Sequence, residues 1–318
     1  MAAAPDPGGQ RPPVDLPPSV NLDETYDSDH FLLEGEHGNL WFEYRSPTLF
    51  VTFDNLATLD DPYPRMPWMY ERVDMLGYSI LGVQSFRKDW FRQPSSPEQI
   101  AGLAAQGFFS RFDRVVFMGA SMGAFGALNF APFVPGAWVL AFSPQSTMNR
   151  NIAPFEKRFQ YAVKRSNWDE MPFLDAAASV PYIPKIAMLY DPLEMEDIRH
   201  AARLDGPNVQ RLPVAGSTHQ AIRLVVKSDA LPQMMREFAE TGRLGEEFRR
   251  NMQARKQVRS WRRAMVHQLE RRKHHKLLLK VCVSFLAEKN YAFATEAKNK
   301  VLAEHPELIA PGQGANKK

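Results

Sequence analysis

The 318-residue sequence contains a single cysteine, Cys282. One thiol cannot form an intramolecular disulfide, so stability must come from a packed core, and a reducing compartment fits. No apolar run approaches the roughly 20 residues that a membrane-spanning helix needs. The N-terminus has neither the basic nor the apolar segment of a secretion signal. These absences point to a soluble, cytoplasmic protein. The eight histidines are scattered, with no Cys/His cluster at zinc spacing, so neither a metal nor another cofactor is expected.

Glycine is also sparse, at 18 residues, which makes two of them in one pentapeptide informative. An apolar run over 115–118 reads as a buried strand, leads into Gly119-Ala120-Ser121-Met122-Gly123, and continues from Ala124 in small and apolar residues that suit a helix. A serine on a tight strand-to-helix turn presents its hydroxyl at the end of a sheet. Glycines on either side keep side chains away from the crowded bend. The amide of Met122, at the start of the following helix, would face the oxyanion that forms in acyl transfer.

The strand, G-x-S-x-G and helix resemble the nucleophile elbow of the α/β-hydrolases. The rest of the chain fits that resemblance over about residues 30–243. Runs at 31–34 and 40–44 read as a hairpin, and 49–53, 78–83, 138–142, 185–190 and 209–214 as further strands alternating with helical segments. Such alternation argues for a mostly parallel sheet with flanking helices. Residues 145–182 break the rhythm. By the resemblance they form a short cap over the active site; the other reading is an ordinary helix-rich crossover.

The resemblance also implies a triad in the chain order serine, acid, histidine. Ser121 is the candidate nucleophile, and His219, in Gly216-Ser217-Thr218-His219 beyond the last strand, is the candidate base. His200 lies inside an expected helix and reads as a helix-surface histidine. Two carboxylates compete for the acid: Asp191, which ends its strand before Pro192, and Asp197, which could otherwise be a helix N-cap. The loop after the third strand should supply the second oxyanion amide, at Asp54 or Asn55, although the family's glycine-rich version of that loop is absent here.

The formal net charge of +3 hides a strong asymmetry. Between residues 246 and 280, 12 Lys and Arg stand against three Glu, a local charge of +9 that leaves the remainder near −6. Phe248, Met252, Val258, Trp261, Met265 and Leu269 recur there at helical spacing, so the segment reads as one basic amphipathic helix. Two more helices, over 277–286 and 291–302, resemble a single tetratricopeptide-type hairpin. The apolar stripe suggests a homo-oligomer, and the basic face an anionic partner.

The expected division is a disordered Pro-rich tail (1–24), an α/β-hydrolase domain (25–243, cap about 145–182), a basic helical region (244–308) and a disordered end (309–318). The function this implies is a serine esterase or acyltransferase working through an acyl-enzyme on Ser121. Its substrate would be a small-molecule or glycan ester, since Gly-Ala-Ser-Met-Gly-Ala, Leu-Tyr-Asp-Pro and Gly-Ser-Thr-His resemble a bacterial subgroup associated with surface polysaccharide. The alternative is a non-catalytic scaffold that works through its basic tail.

Overall fold

The computed structural model describes residues 16–25, 27–170 and 172–308, and in it the apolar runs form one eight-stranded sheet. In chain order the elements are β1 (His30–Leu33), β2 (Gly38–Glu43), β3 (Thr48–Phe53), α1 (Tyr70–Asp74), β4 (Ser79–Ser85), α2 (Ser95–Ala105), β5 (Arg114–Ala120), α3 (Met122–Phe130) and β6 (Trp138–Phe142). They continue with α4 (Gln160–Val163), β7 (Ile186–Tyr190), α5 (Met195–Arg203), β8 (Val209–Pro213), α6 (Ala221–Lys227) and α7 (Leu231–Thr241). Four C-terminal helices follow: α8 (Glu246–Asn251), α9 (Arg259–Arg271), α10 (His275–Glu288) and α11 (Ala292–Glu304).

The strand order is β1-β2-β4-β3-β5-β6-β7-β8. The β1–β2 and β2–β4 pairings are antiparallel and the other five are parallel, so β2 alone runs against the rest. Strands covered on both faces need apolar residues on both, and β6 is buried at every position. On one face Val51, Phe53, Phe117 and Val139 pack with Phe125 and Leu128 of α3. On the other, Phe50, Val116, Met118 and Leu140 pack with Val225 of α6 and Met234 and Phe238 of α7. Ser121 therefore stands at the C-terminal edge of a central strand, with a core on each side.

The expected disordered tails extend into residues that the structure does not describe, 1–15 and 309–318. Residues 16–24 depart from the expectation, because Val20 N–H donates to Leu32 O at 3.0 Å and Leu32 N–H to Pro18 O at 2.8 Å. The basic segment also departs from it. It is not one helix but α8, a 3₁₀ turn at Met252–Gln257, α9 and the start of α10. Val258 is extended (φ −76°, ψ 119°) and breaks it. Phe248 and Met252 are drawn into the core beneath the sheet, with Val258 and Trp261 packed beside them. Val266 and Leu269 instead join Leu278, Cys282, Tyr291 and Val301 of the C-terminal helices. The chain itself thus covers the stripe that suggested oligomerisation. Among the described residues, no helix is long and apolar enough to cross a membrane.

Candidate active site

The turn between β5 and α3 holds Ser121 at φ 53°, ψ −116°, a sparsely populated conformation that costs on the order of 1–3 kcal/mol. Two backbone bonds hold it there: Ser121 N–H to Phe142 O (2.9 Å) and Phe125 N–H to Ser121 O (3.1 Å). Neither flanking glycine could be larger. A Cβ on Gly119 would lie 2.2 Å from Gly123 O, and one on Gly123 would lie 2.7 Å from Asp54 O and 2.8 Å from Phe53 O. The second pair of distances also shows how tightly the end of β3 is pressed against the start of α3.

His219 Nε2 lies 2.9 Å from Ser121 Oγ, and His219 Nδ1 lies 2.7 Å from Asp197 Oδ1. The carboxylate can only accept, so Nδ1 carries the proton and Nε2 presents its lone pair to the serine hydroxyl. Asp197 is buried in the first turn of α5, where its oxygen also accepts from Arg158 Nη1 at 2.9 Å. Burial raises its pKa, but the His219 hydrogen bond and the Arg158 charge outweigh it and hold the group below the usual aspartate value.

Asp191, the other candidate acid, faces different groups. Its Oδ1 accepts from Leu193 N–H (2.9 Å) and its Oδ2 from Thr218 N–H (2.6 Å), which ties the end of β7 to the residue before His219. Burial raises its pKa against those backbone bonds. His200 is not on a helix surface. It is fully buried, with Nδ1 3.0 Å from Ser146 Oγ and Nε2 3.0 Å from Glu156 Oε2. Glu156 in turn pairs with Arg158 at 2.6 Å, so a chain of bonds runs from the buried His200 and Glu156 through the partly exposed Arg158 to the buried Asp197.

Met122 is the first residue of α3, where no intrahelical acceptor exists for its amide. The amides at the two other oxyanion candidates are engaged: Asp54 N–H donates to Val83 O (3.1 Å) and Asn55 N–H to Thr58 Oγ1 (2.7 Å). The Asp54 carboxylate binds Arg65 (2.6 Å) and Ser85 N–H (3.0 Å), tying this loop to β4. Leu56 is next along, lies on the wall of the site, and its N–H has no hydrogen-bond partner among the described residues.

The cavity in front of Ser121 measures about 480 Å³ and is walled by Leu56, Trp68, Met69, Phe159, Ile222 and Val226. Phe159 comes from the 145–182 segment, with its ring centroid 5.5 Å from that of His219. The same segment supplies Arg158 and the buried Gln145, whose Oε1 accepts from Trp90 Nε1–H (2.8 Å) and lies 3.2 Å from Ser121 Oγ. Gln145, Trp90, Arg158 and Leu56 carried no signal in the sequence, because each is defined by a contact with residues distant along the chain or by a loop's path.

The mostly parallel sheet with flanking helices, the glycine-flanked serine turn and the histidine loop beyond the last strand agree with the expected architecture. The chain has the α/β-hydrolase fold. No protein-family model and no curated protein matches it. Among solved structures it is similar to the capsule O-acetyltransferase of Neisseria meningitidis serogroup A, at 11% identity over 66% of this chain and 94% of that one, TM-score 0.44. It is also similar to Est1E from Butyrivibrio proteoclasticus, at 11% identity over 66% and 98% of the two chains, TM-score 0.43. An esterase of Pyrococcus furiosus aligns at 16% identity over 71% and 97%, TM-score 0.43.

Proposed function

We propose that this chain is a serine hydrolase or acyltransferase acting on carboxylic esters, with Ser121 as nucleophile, His219 as base and Asp197 as the acid. The observation that carries the reading is the continuous bonding from Ser121 Oγ to His219 Nε2 and from Nδ1 to Asp197, at 2.9 and 2.7 Å. Ser121 Oγ attacks the ester carbonyl carbon while His219 Nε2 takes its proton. The oxyanion is met by the Met122 amide and, in place of Asp54 or Asn55, by that of Leu56. His219 then protonates the departing alcohol, leaving an acyl group on Ser121. Water or a hydroxyl-bearing acceptor reverses the sequence.

Asp197 holds the imidazole in the productive tautomer and stabilises its charged form, while Asp191 shapes the loop that delivers the ring. The apolar wall receives an acyl chain or another apolar part of the ester, and a glycan ester is the substrate lead that the motif resemblance supplies. A cytoplasmic location belongs to the same reading and rests on the single buried thiol. The test is intact-mass analysis during turnover of p-nitrophenyl acetate. An acetylated species mapping to the Ser121 peptide, and absent from Ser121→Ala, is expected. If the folded protein is neither acylated nor active on any ester, the reading falls to the scaffold alternative.

A further inference from the structure

Beside the catalytic cavity lies a second cleft of about 470 Å³ between α6 and α9. The two are contiguous, because Gln220, Arg223 and Lys227 line both. On its far wall α9 contributes Ser260, Arg263 and His267. Among the described residues, no aspartate or glutamate lines this cleft. Among the described residues, Arg223, Lys227 and Arg263 have no carboxylate within ion-pair distance, and the one side-chain bond of the three is Arg223 Nη1 to Gln220 Oε1 (3.0 Å). All three are exposed.

Neighbouring cations on the same helix are committed differently. Arg262 is buried and bonded to Glu288, Gln257 and the Lys256 carbonyl, and Arg271 donates to Leu193 O and Gln268. The basic helix therefore separates into cations that hold the fold and a cation that faces the cleft. Its docking is specific. Trp261 Nε1–H donates to Ala215 O at 2.8 Å, and Gly216 (φ +81°) packs so closely that a Cβ there would lie 2.8 Å from the indole. Gln268 Nε2 reaches Glu194 Oε1 at 2.9 Å. The helix is thus braced against the loop that carries His219, and the position of Arg263 relative to Ser121 is set by packing.

Three exposed positive charges along one cleft, without an ion-pair partner among the described residues, create a positive potential that concentrates anions. Guanidinium groups match phosphate and carboxylate oxygens in particular. We propose that this cleft binds the anionic part of the substrate, an alcohol or thiol moiety bearing two or more phosphate or carboxylate charges, while its ester or thioester carbonyl lies against Ser121. The proposal deepens the serine-hydrolase reading and rests on it for the identity of the neighbouring site.

Binding separates the two. Inorganic pyrophosphate and citrate are titrated calorimetrically into the Ser121→Ala protein at low and at physiological salt. Saturable pyrophosphate binding is expected, weakened about tenfold or more by Lys227→Ala/Arg263→Ala and weakened by salt, because the charges are exposed. Citrate binding more tightly than pyrophosphate would assign the cleft to carboxylates within the same proposal. In wild type, pyrophosphate should compete with a phosphate-bearing acetyl ester, and the double variant should lower kcat/KM for that ester about tenfold relative to p-nitrophenyl acetate. No pyrophosphate or citrate binding, or binding equal in the double variant, overturns the proposal. So does retention on phosphatidylserine vesicles without pyrophosphate binding, which would assign the basic face to a membrane surface. An inactive protein that still binds pyrophosphate through Lys227 and Arg263 would refute the enzyme reading and leave an anion site.

Discussion

Replacing Asp197 by Asn separates the two carboxylates that flank the end of β7. One oxygen of Asp197 receives both His219 Nδ1–H at 2.7 Å and Arg158 Nη1–H at 2.9 Å. An asparagine can keep both bonds on its amide oxygen, with its nitrogen where the second carboxylate oxygen has no hydrogen-bond partner among the described residues. It carries no negative charge, so the imidazolium that forms when Nε2 takes the Ser121 proton loses its counter-charge. The equivalent change in a Ser-His-Asp triad lowers kcat on the order of 10⁴-fold, or roughly 5.4 kcal/mol of barrier. Asp191→Asn should behave in the opposite way. Its oxygens accept from Leu193 and Thr218 amides, so the amide variant leaves one N–H facing a donor, at a cost of about 1–3 kcal/mol in stability. Initial rates of p-nitrophenyl acetate hydrolysis and urea midpoints measured on both variants distinguish the roles. Near-wild-type turnover in Asp197→Asn, with loss in Asp191→Asn, would refute the assignment.

Three other outcomes follow from the same geometry. Gly123→Ala should destabilise the fold by roughly 1–3 kcal/mol or displace the loop after β3, since its Cβ meets two carbonyl oxygens within 2.8 Å; chemical denaturation and turnover together report it. Gln145→Met should cost about 1–3 kcal/mol, because the buried Trp90 N–H loses the acceptor at 2.8 Å; a urea melt measures the loss. Burial raises the pKa of Glu156, yet its His200 hydrogen bond and Arg158 hold it down to about 2 from 4.5. Because the folded value is the lower one, its contribution is complete above pH 4.5 and lost as pH falls toward 2. It amounts to roughly 3 kcal/mol at ~1.4 kcal/mol per unit. Acid titrations of stability should be less steep in Glu156→Gln across that range.

Local signals carried much of this architecture. The elbow was legible because a strand, two glycines and a helix are encoded within one short stretch, and His219 because it follows the last strand of an alternating series. Asp191 and Asp197 could not be separated, since both follow β7 closely and the choice depends on how α5 enters and which carboxylate faces the ring. His200 was misread as a surface residue because its burial depends on Glu156 and Ser146, far away in the chain. The second oxyanion amide depends on hydrogen bonds inside the loop after β3, where Thr58 Oγ1 engages Asn55. The apolar period of the basic segment was visible, but its partner was not. Periodicity identifies a face to be covered, and here the sheet core and the loop at Ala215 cover much of it, where oligomerisation had been the expectation.

The most direct test of the catalytic assignment is labelling with a fluorophosphonate probe, applied to wild type, Ser121→Ala and His219→Ala under identical folded conditions. The expected result is stoichiometric labelling of wild type at Ser121 and none in either variant, because the phosphonyl group traps only a serine whose proton Nε2 can accept. Undiminished labelling in His219→Ala, or no labelling of a folded wild type that small esters can enter, would contradict it.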